Sequence, residues 1–574
     1  MTTSNGSAIY DASKGGLYGS PFNSAELPAN IRAIMMDFRW ATSFDGVTPA
    51  TLITCAFPAS TSDYTSTQNY PDLFALKGFE PLNQAEKSAV TTALNLISSY
   101  TNLQFQFGAT NLAETASLRF ATNSGIGSFG NFPPNDGSYL AADGGTDSGV
   151  GGDLFYGQNA QFSNLQYAGT DQFKTIMHEI GHALGLKHGS DSSYNGMLTP
   201  DINDNEFSLM TYASYFGAQG LTQAVDGSSP QSYMMLDIAA LQAYYGANFG
   251  GVGTASTYKW DAVTGQQYLN GMPAANTGVS RTGKIFETVW TQGASTTYDF
   301  SNFDTNGAFD LRPGHWSTFS VNQLADLNLQ SSPGAPEYRA QGNVYNALLY
   351  QNDIRSEVSN IIVGNGDNKI TGNEMDNFIS LGGGNNIVNG MGGVNTVSLA
   401  GAQKDYELVA QDEQHFKLLA MQGNGATDSL ENIQQVKFND VTLVLDLTTS
   451  ADHAVYLLYQ VAFARMPDTA GLRFWARIGD NSGALSVAQS FLNSEEFLNK
   501  YQANLSNDQF LAEVYKNAFH RNPDPLGASF WIDQLNKGLG KDQLMLDFAV
   551  SNEAVQGVAT HVTHGYWTAW DVIS

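Results

Sequence analysis

The stretch that most restricts what this chain can fold into runs from Thr175 to Gly189, T-I-M-H-E-I-G-H-A-L-G-L-K-H-G. Within it His178, Glu179, His182, Gly185 and His188 keep the spacing H-E-x-x-H-x-x-G-x-x-H. At about 3.6 residues per turn a helix here sets His178 and His182 one above the other, a ready pair of nitrogen ligands for a divalent metal. Gly185 allows the left-handed turn that ends such a helix and brings His188 round to face the pair. Three neutral imidazoles with an open fourth position are the pattern of a catalytic zinc, whereas structural zinc sites close with four protein ligands. Glu179, directly after the first ligand, is placed to take the proton of a water that attacks a carbonyl carbon.

Further on, F-S-L-M-T-Y carries Met210 and Tyr212. With the helix motif upstream, these residues resemble the metzincin metalloproteases, whose Met-turn sets a methionine under the metal, and within that clan the serralysins, secreted bacterial endopeptidases. The resemblance implies zinc on His178, His182 and His188, Glu179 as general base, Met210 as the Met-turn residue, and Tyr212 as a mobile fifth ligand and transition-state stabiliser. It also implies that Gly151, Gly152, Asp153, Leu154, Phe155 and Tyr156 form the edge strand that pairs with an extended substrate.

The chain's 574 residues exceed one core, and at ~150 residues per domain they suggest three or four. Its 54 acidic against 26 basic residues, a net charge of -28, argue against nucleic acid and anionic membranes as partners. No stretch reaches the ~18 apolar residues of a membrane span, so no membrane insertion is expected. The opening M-T-T-S-N-G-S-A-I-Y has neither the basic region nor the apolar run of a signal peptide, so export is expected to use another route. Cys55 is the single cysteine, which excludes an intramolecular disulfide and reads as a packed thiol in a buried strand.

The expected fold is multidomain α+β. A flexible Gly/Ser/Asn-rich lead-in covers 1–30 and a metzincin zinc protease domain 31–248. In the latter, Ile31–Phe38 and Leu52–Phe57 read as strands, Gln84–Tyr100 as a helix, and L-Q-F-Q-F and S-L-R-F-A as alternating strands. Pro230 to Asn248 resembles the serralysin helix that closes the catalytic domain, and Leu236, Ala239, Ala240 and Leu241 form its apolar stripe.

A β-rich domain is expected over 249–450. Inside it Ile370, Ile379, Val388 and Val397 recur every nine residues, with Asn368, Asn377, Asn386 and Asn395 two places before each. Over 364–399 this resembles the RTX β-roll, in which each turn adds one inward aliphatic to a stacked core. RTX turns carry Asp where this chain has those four asparagines. Calcium affinity rises with ligand charge, so few or no calcium sites and a stack of asparagine amides are expected. Thr291 and Thr296 likewise stand where family aspartates are expected, while Asp367 and Asp376 lie one residue off register.

From 451 to 574 the pattern turns helical and repeats. Tyr459, Arg465, Pro467, Asp468, Gly471 and Trp475 return as Tyr515, Arg521, Pro523, Asp524, Gly527 and Trp531. This resembles a helical domain of unknown function from secreted and surface-layer-associated bacterial proteins, which points to cell-surface or S-layer components as partners. The ending W-D-V-I-S, with Asp571, Val572 and Ile573, resembles the tail read by a type I secretion system. The reading is thus a secreted zinc endopeptidase acting on proteins or peptides, with some association to the cell surface. The alternative is a catalytically silent or latent surface-binding protein.

Overall fold

A computed structural model describes residues 9–10, 18–41, 49–64, 76–108, 116–133, 151–163, 165, 167–218, 220–274, 282–329, 337–411, 414–422, 425–445, 450–501, 505–557, 562–563 and 566–569. The chain divides into two compact units, Met1–Met375 and Asp376–Ser574.

In the first unit β1 (Tyr18–Pro21) lies antiparallel to β2 (Phe38–Ala41), Tyr18 opposite Ala41 and Pro21 opposite Phe38. The lead-in expected to stay loose therefore contributes a paired strand, although most of 1–17 lies outside the described residues. The strand expected over Ile31–Phe38 is instead a short helix, Ala29–Arg32, and an irregular run in which Ala33, Ile34, Met35 and Met36 are all buried. Consecutive apolar residues here answer to packing from several sides, not to the alternation of a two-faced strand. The run straps the end of the histidine helix: Met36 N–H donates to Gly185 O (2.9 Å) and Lys187 N–H to Ile34 O (2.8 Å).

The main sheet holds β3 (Leu52–Ala56), β4 (Gln104–Phe107), β5 (Leu118–Asn123), β6 (Phe129–Gly130) and β7 (Asp153–Tyr156) in the order β4-β3-β5-β7-β6. Neighbours in this order are parallel except β6, which is antiparallel to β7, and off it Phe79–Glu80 pairs antiparallel with β5. β5 and β7 are buried along their whole length, as parallel strands covered on both faces must be.

Helix α1 (Gln84–Tyr100) keeps the bounds the sequence gives it, because Asn83 caps it and exchanges hydrogen bonds with Glu86 in a capping box. Helix α2 (Asp171–Ala183) starts where the Thr170 hydroxyl accepts Phe173 N–H (3.2 Å), with Asp171 complementing the dipole of the first turn. It ends at Gly185, whose φ is +105° and where a Cβ would stand 2.8 Å from Phe38 O. Helix α3 (Met235–Tyr245) is shorter than the helical span expected and almost wholly buried. α1, α2, α3 and the sheet share one core that includes Leu94, Ile97, Phe120, Ile176, Ile180 and Leu241.

Beyond α3 the first unit continues in parallel strands, Ala255–Trp260 beside Ser295–Phe300 and the latter beside Asn360–Val363. In the second unit Phe378–Ser380 lies parallel to Thr396–Ser398, and that strand to Gln435–Lys437. Ile370, Ile379, Val388 and Val397 are all buried.

Helices follow from Ser450–Phe463 to Asn552–Gly557. The two copies of the repeat match in detail. Asp468 and Asp524 cap helices by accepting Gly471 N–H (2.7 Å) and Gly527 N–H (2.9 Å), and Arg465 and Arg521 form paired bonds to Glu496 and Glu553. Trp475 packs on Phe491 as Trp531 does on Phe548, at 5.1 and 5.2 Å. The tail is not helical throughout, since Tyr566–Ala569 returns antiparallel to Thr442–Val444. Asp571, Val572 and Ile573 lie outside the described residues.

Candidate metal centre

His178 and His182 leave α2 one turn apart, and His188, carried back by the Gly185 turn, faces both. Its Nε2 lies 3.1 Å from His178 Nε2 and 3.1 Å from His182 Nε2. The outer nitrogens meet carbonyls: His178 Nδ1 is 2.7 Å from Leu209 O and His182 Nδ1 is 2.7 Å from Leu186 O. A carbonyl only accepts, so these bonds put each ring's single proton on Nδ1 and leave the lone pair on Nε2. His178 and His182 thus aim lone pairs at the space that His188 Nε2 also faces, where a cation would meet all three nitrogens. Burial first, and then the neighbouring imidazoles, hold His178 down at about 3 and His182 well below its usual range. His188 is lowered too, chiefly by burial. The rings therefore stay neutral, the form that ligates, and a set of three imidazole nitrogens suits zinc, with the Leu209 and Leu186 carbonyls fixing two of the rings.

Glu179 lines the same cleft, which has a volume of about 500 Å³. Burial raises its carboxyl to about 8, while Gly130 N–H, donating to it, pulls the other way. β6 rests directly on α2, for a Cβ at Gly130 would come within 2.3 Å of Glu179 O.

Gly151–Tyr156 is not the edge strand. β7 is flanked by β5 on one side and β6 on the other, and all six residues are buried. Among the described residues the outer strand on the cleft side is β6, and Ser128, Phe129, Gly130 and Phe132 line the cleft. Which strand is outermost depends on what pairs with it in space, and a strand of two residues leaves no alternating pattern to read.

Met210 is fully buried against α2, its Sδ 2.8 Å from where a side chain at Gly181 would begin, and its carbonyl accepts Gly189 N–H (2.9 Å). Asp237 of α3 fixes this turn: Oδ1 accepts the Ser208 hydroxyl (2.6 Å), and Oδ2 accepts Leu209 N–H (2.8 Å) and Met234 N–H (3.0 Å). It thereby positions the Leu209 carbonyl that holds His178. Buried Lys187 does similar work behind His188, its Nζ donating to Ala33 O, Asp191 O and Gly196 O at 2.6, 2.6 and 2.7 Å. Sequence reasoning passed over both. Their signals were an acid in the first turn of an otherwise apolar helix and a lysine inside a buried run.

Tyr212 is half-exposed, with its hydroxyl 3.3 Å from His188 Nδ1 and its ring 4.4 Å from that imidazole. It meets His188 on the outer nitrogen and does not stand among the three Nε2 atoms.

A family model described as Matrixin matches residues 74–211, the region that holds most of the sheet, α1 and the histidines. The metallopeptidase AprA of Pseudomonas marginalis is 28% identical over 309 residues, 51% of this chain and 59% of that protein. Serralysin C of Dickeya chrysanthemi is 30% identical over 175 residues, 29% of this chain and 34% of that one. The chain is similar to the serralysin-like metzincins over this region. A serralysin of Photorhabdus laumondii is 24% identical over 328 residues, 55% of this chain and 62% of its own length. The chain thus spans no more than about three fifths of these serralysin relatives. A second family model, a domain of unknown function (DUF4214), matches residues 488–558 in the helical repeats, which are an addition to the serralysin-like part.

Proposed function

We propose that this chain is a secreted zinc endopeptidase that cleaves extended polypeptides. The observation that carries the reading is the convergence of His178, His182 and His188 Nε2 in a cleft that Glu179 also lines. Zinc held by these three rings would supply Lewis acidity toward the scissile carbonyl and acidify a water. Glu179, aimed by Gly130 N–H, accepts the attacking water's proton and passes it to the departing amine. A bound dication favours the carboxylate form that this role needs. Tyr212, free to turn from His188 because it is half-exposed, donates its hydroxyl to the developing oxyanion. An extended substrate adds beside β6, held by backbone hydrogen bonds.

The domain division at 248 and 450 and an RTX-like roll over 364–399 belong to the same proposal. The roll is supported by the nine-residue spacing of buried aliphatics and by the parallel pairing of Phe378–Ser380 with Thr396–Ser398, two repeats on. Release by a type I secretion system and attachment of the helical repeats to a cell surface complete the reading.

The test is Glu179→Ala in the full chain. Casein cleavage should fall by about 10³-fold or more while one zinc per chain stays bound. A variant that holds zinc and cleaves at the wild-type rate would show that another group moves the proton.

A further inference from the structure

The first unit contains a second cleft, of about 310 Å³, that shares no lining residue with the histidine cleft. That volume lies at the small end of the range for ligand sites. Leu96, Leu269 and Val289 give it apolar walls, and Met272, 70% exposed, stands at its rim. Tyr100, Tyr258 and Trp290 add aromatic rings.

Glu287 also lines this cleft, although it is 98% buried. Its Oε1 accepts two bonds, from Trp260 Nε1–H (2.5 Å) and Gln267 Nε2–H (2.7 Å). Among the described residues none donates to Oε2, and no lysine, arginine or histidine lines the cleft. A carboxylate removed from water costs stability unless a cation or further donors meet it. Burial pushes this carboxyl up to about 7, against the pull of the Trp260 and Gln267 bonds.

We propose that the cleft binds a primary alkylammonium, the head of a lysine side chain, with Glu287 Oε2 as its counterion. The tyrosine and tryptophan rings attract the same charge through their quadrupoles. The apolar walls take up the methylene stem, as long amphipathic side chains prefer. The site is independent of the zinc chemistry and does not require it.

The experiment titrates the full-length protein by calorimetry with Nα-acetyl-lysine amide, n-butylammonium, and neutral Nα-acetyl-norleucine amide. Saturable binding of the lysine amide, at least about tenfold tighter than that of the norleucine amide, is expected, since bonds to a charged group are the strong ones. Tighter binding of the lysine amide than of butylammonium would assign the site to polypeptide side chains, and the reverse to free amines. Glu287→Gln keeps an acceptor for Trp260 and Gln267 but loses the charge, so it should weaken binding at least about tenfold. Met272→Trp narrows the rim without touching Glu287 and should weaken binding even if the first variant folds poorly. Hydrolysis of a short peptide should stay at the wild-type rate in both. Equal binding of the norleucine amide, or no saturable binding at millimolar lysine amide, overturns the proposal.

Discussion

The histidine cluster and the asparagine-bearing turns both stand where the resemblance to serralysins implies a bound cation, and their polar atoms are arranged in opposite ways. At His178 and His182 carbonyls hold the Nδ1 protons, so two Nε2 lone pairs converge on the space that His188 Nε2 also faces, an arrangement that suits a cation. In the turns each amide brings its own donor. Asn395 Nδ2 donates to Gly392 O (2.8 Å) and Asn432 O (3.0 Å) while its Oδ1 accepts Asn377 N–H (3.0 Å). Asn368 does the same, donating to Gly366 O and accepting Gly307 N–H. Buried lone pairs aimed at one space suit an ion, whereas an amide that satisfies the surrounding backbone does the ion's structural work itself.

Chelators separate the two most widely. A zinc-selective chelator should lower proteolysis by about 10³-fold or more, whereas a calcium-selective one, with zinc kept in the buffer, should leave the rate unchanged. Loss of activity on calcium removal alone would join the two regions that the geometry separates.

Next comes Asn395→Asp. The new carboxylate would face the Gly392 and Asn432 carbonyls that the amide now serves, a buried repulsion costing about 3 kcal/mol or more. Carbonyl oxygens beside a carboxylate can ligate calcium, so thermal stability of this variant should become calcium-dependent. If its melting temperature equals the wild type's without calcium, the amide bonds at Asn395 do not matter to the fold.

Asn386→Ala should cost less, about 1–3 kcal/mol, by removing a donor from a buried carboxylate. Asn386 gives Asp428 Oδ1 both its backbone N–H (2.9 Å) and its Nδ2–H (2.8 Å). Burial holds Asp428 above its ordinary 3.8, and the Asn386 bonds pull it back down. With a raised folded value, charging Asp428 lowers stability. That cost is absent below 3.8, accumulates as pH rises from there to the folded value and is constant above it. Losing one of the bonds raises the folded value further, so denaturant melts should show a larger deficit at pH 7 than at pH 4. An equal deficit at both would mean that Asn386 acts by packing and not on the charge.

Legibility in the sequence follows the range of the interaction. The histidine motif, α1 with its Asn83–Glu86 box, and the nine-residue aliphatic spacing are set within one or two turns of chain, and all were readable. The outer position of β6, the anchoring of the Met-turn by Asp237 across 28 residues, and the three carbonyls gathered by Lys187, one of them 154 residues away, arise only when distant segments meet. The run 31–38 failed for a related reason: an apolar string shows that a segment is buried but not that it is extended.

The smallest effect bears most directly on the comparison. Calcium added to the wild-type chain should move its melting temperature by less than about 1 °C, because a ligand stabilises only in proportion to its occupancy of the folded state. For comparison, 1 kcal/mol of binding energy shifts a melt by about 2–8 °C, so even one well-filled site would be visible. Asp367 and Asp376 are the acids nearest the expected register. Asp376 Oδ1 is engaged by Val394 N–H (2.7 Å), which ties it to the neighbouring turn in place of an ion. A rise of several degrees with calcium, lost in Asp376→Asn, would mean that this carboxylate exchanges its backbone donor for a metal, and the turns would then resemble the histidine cluster.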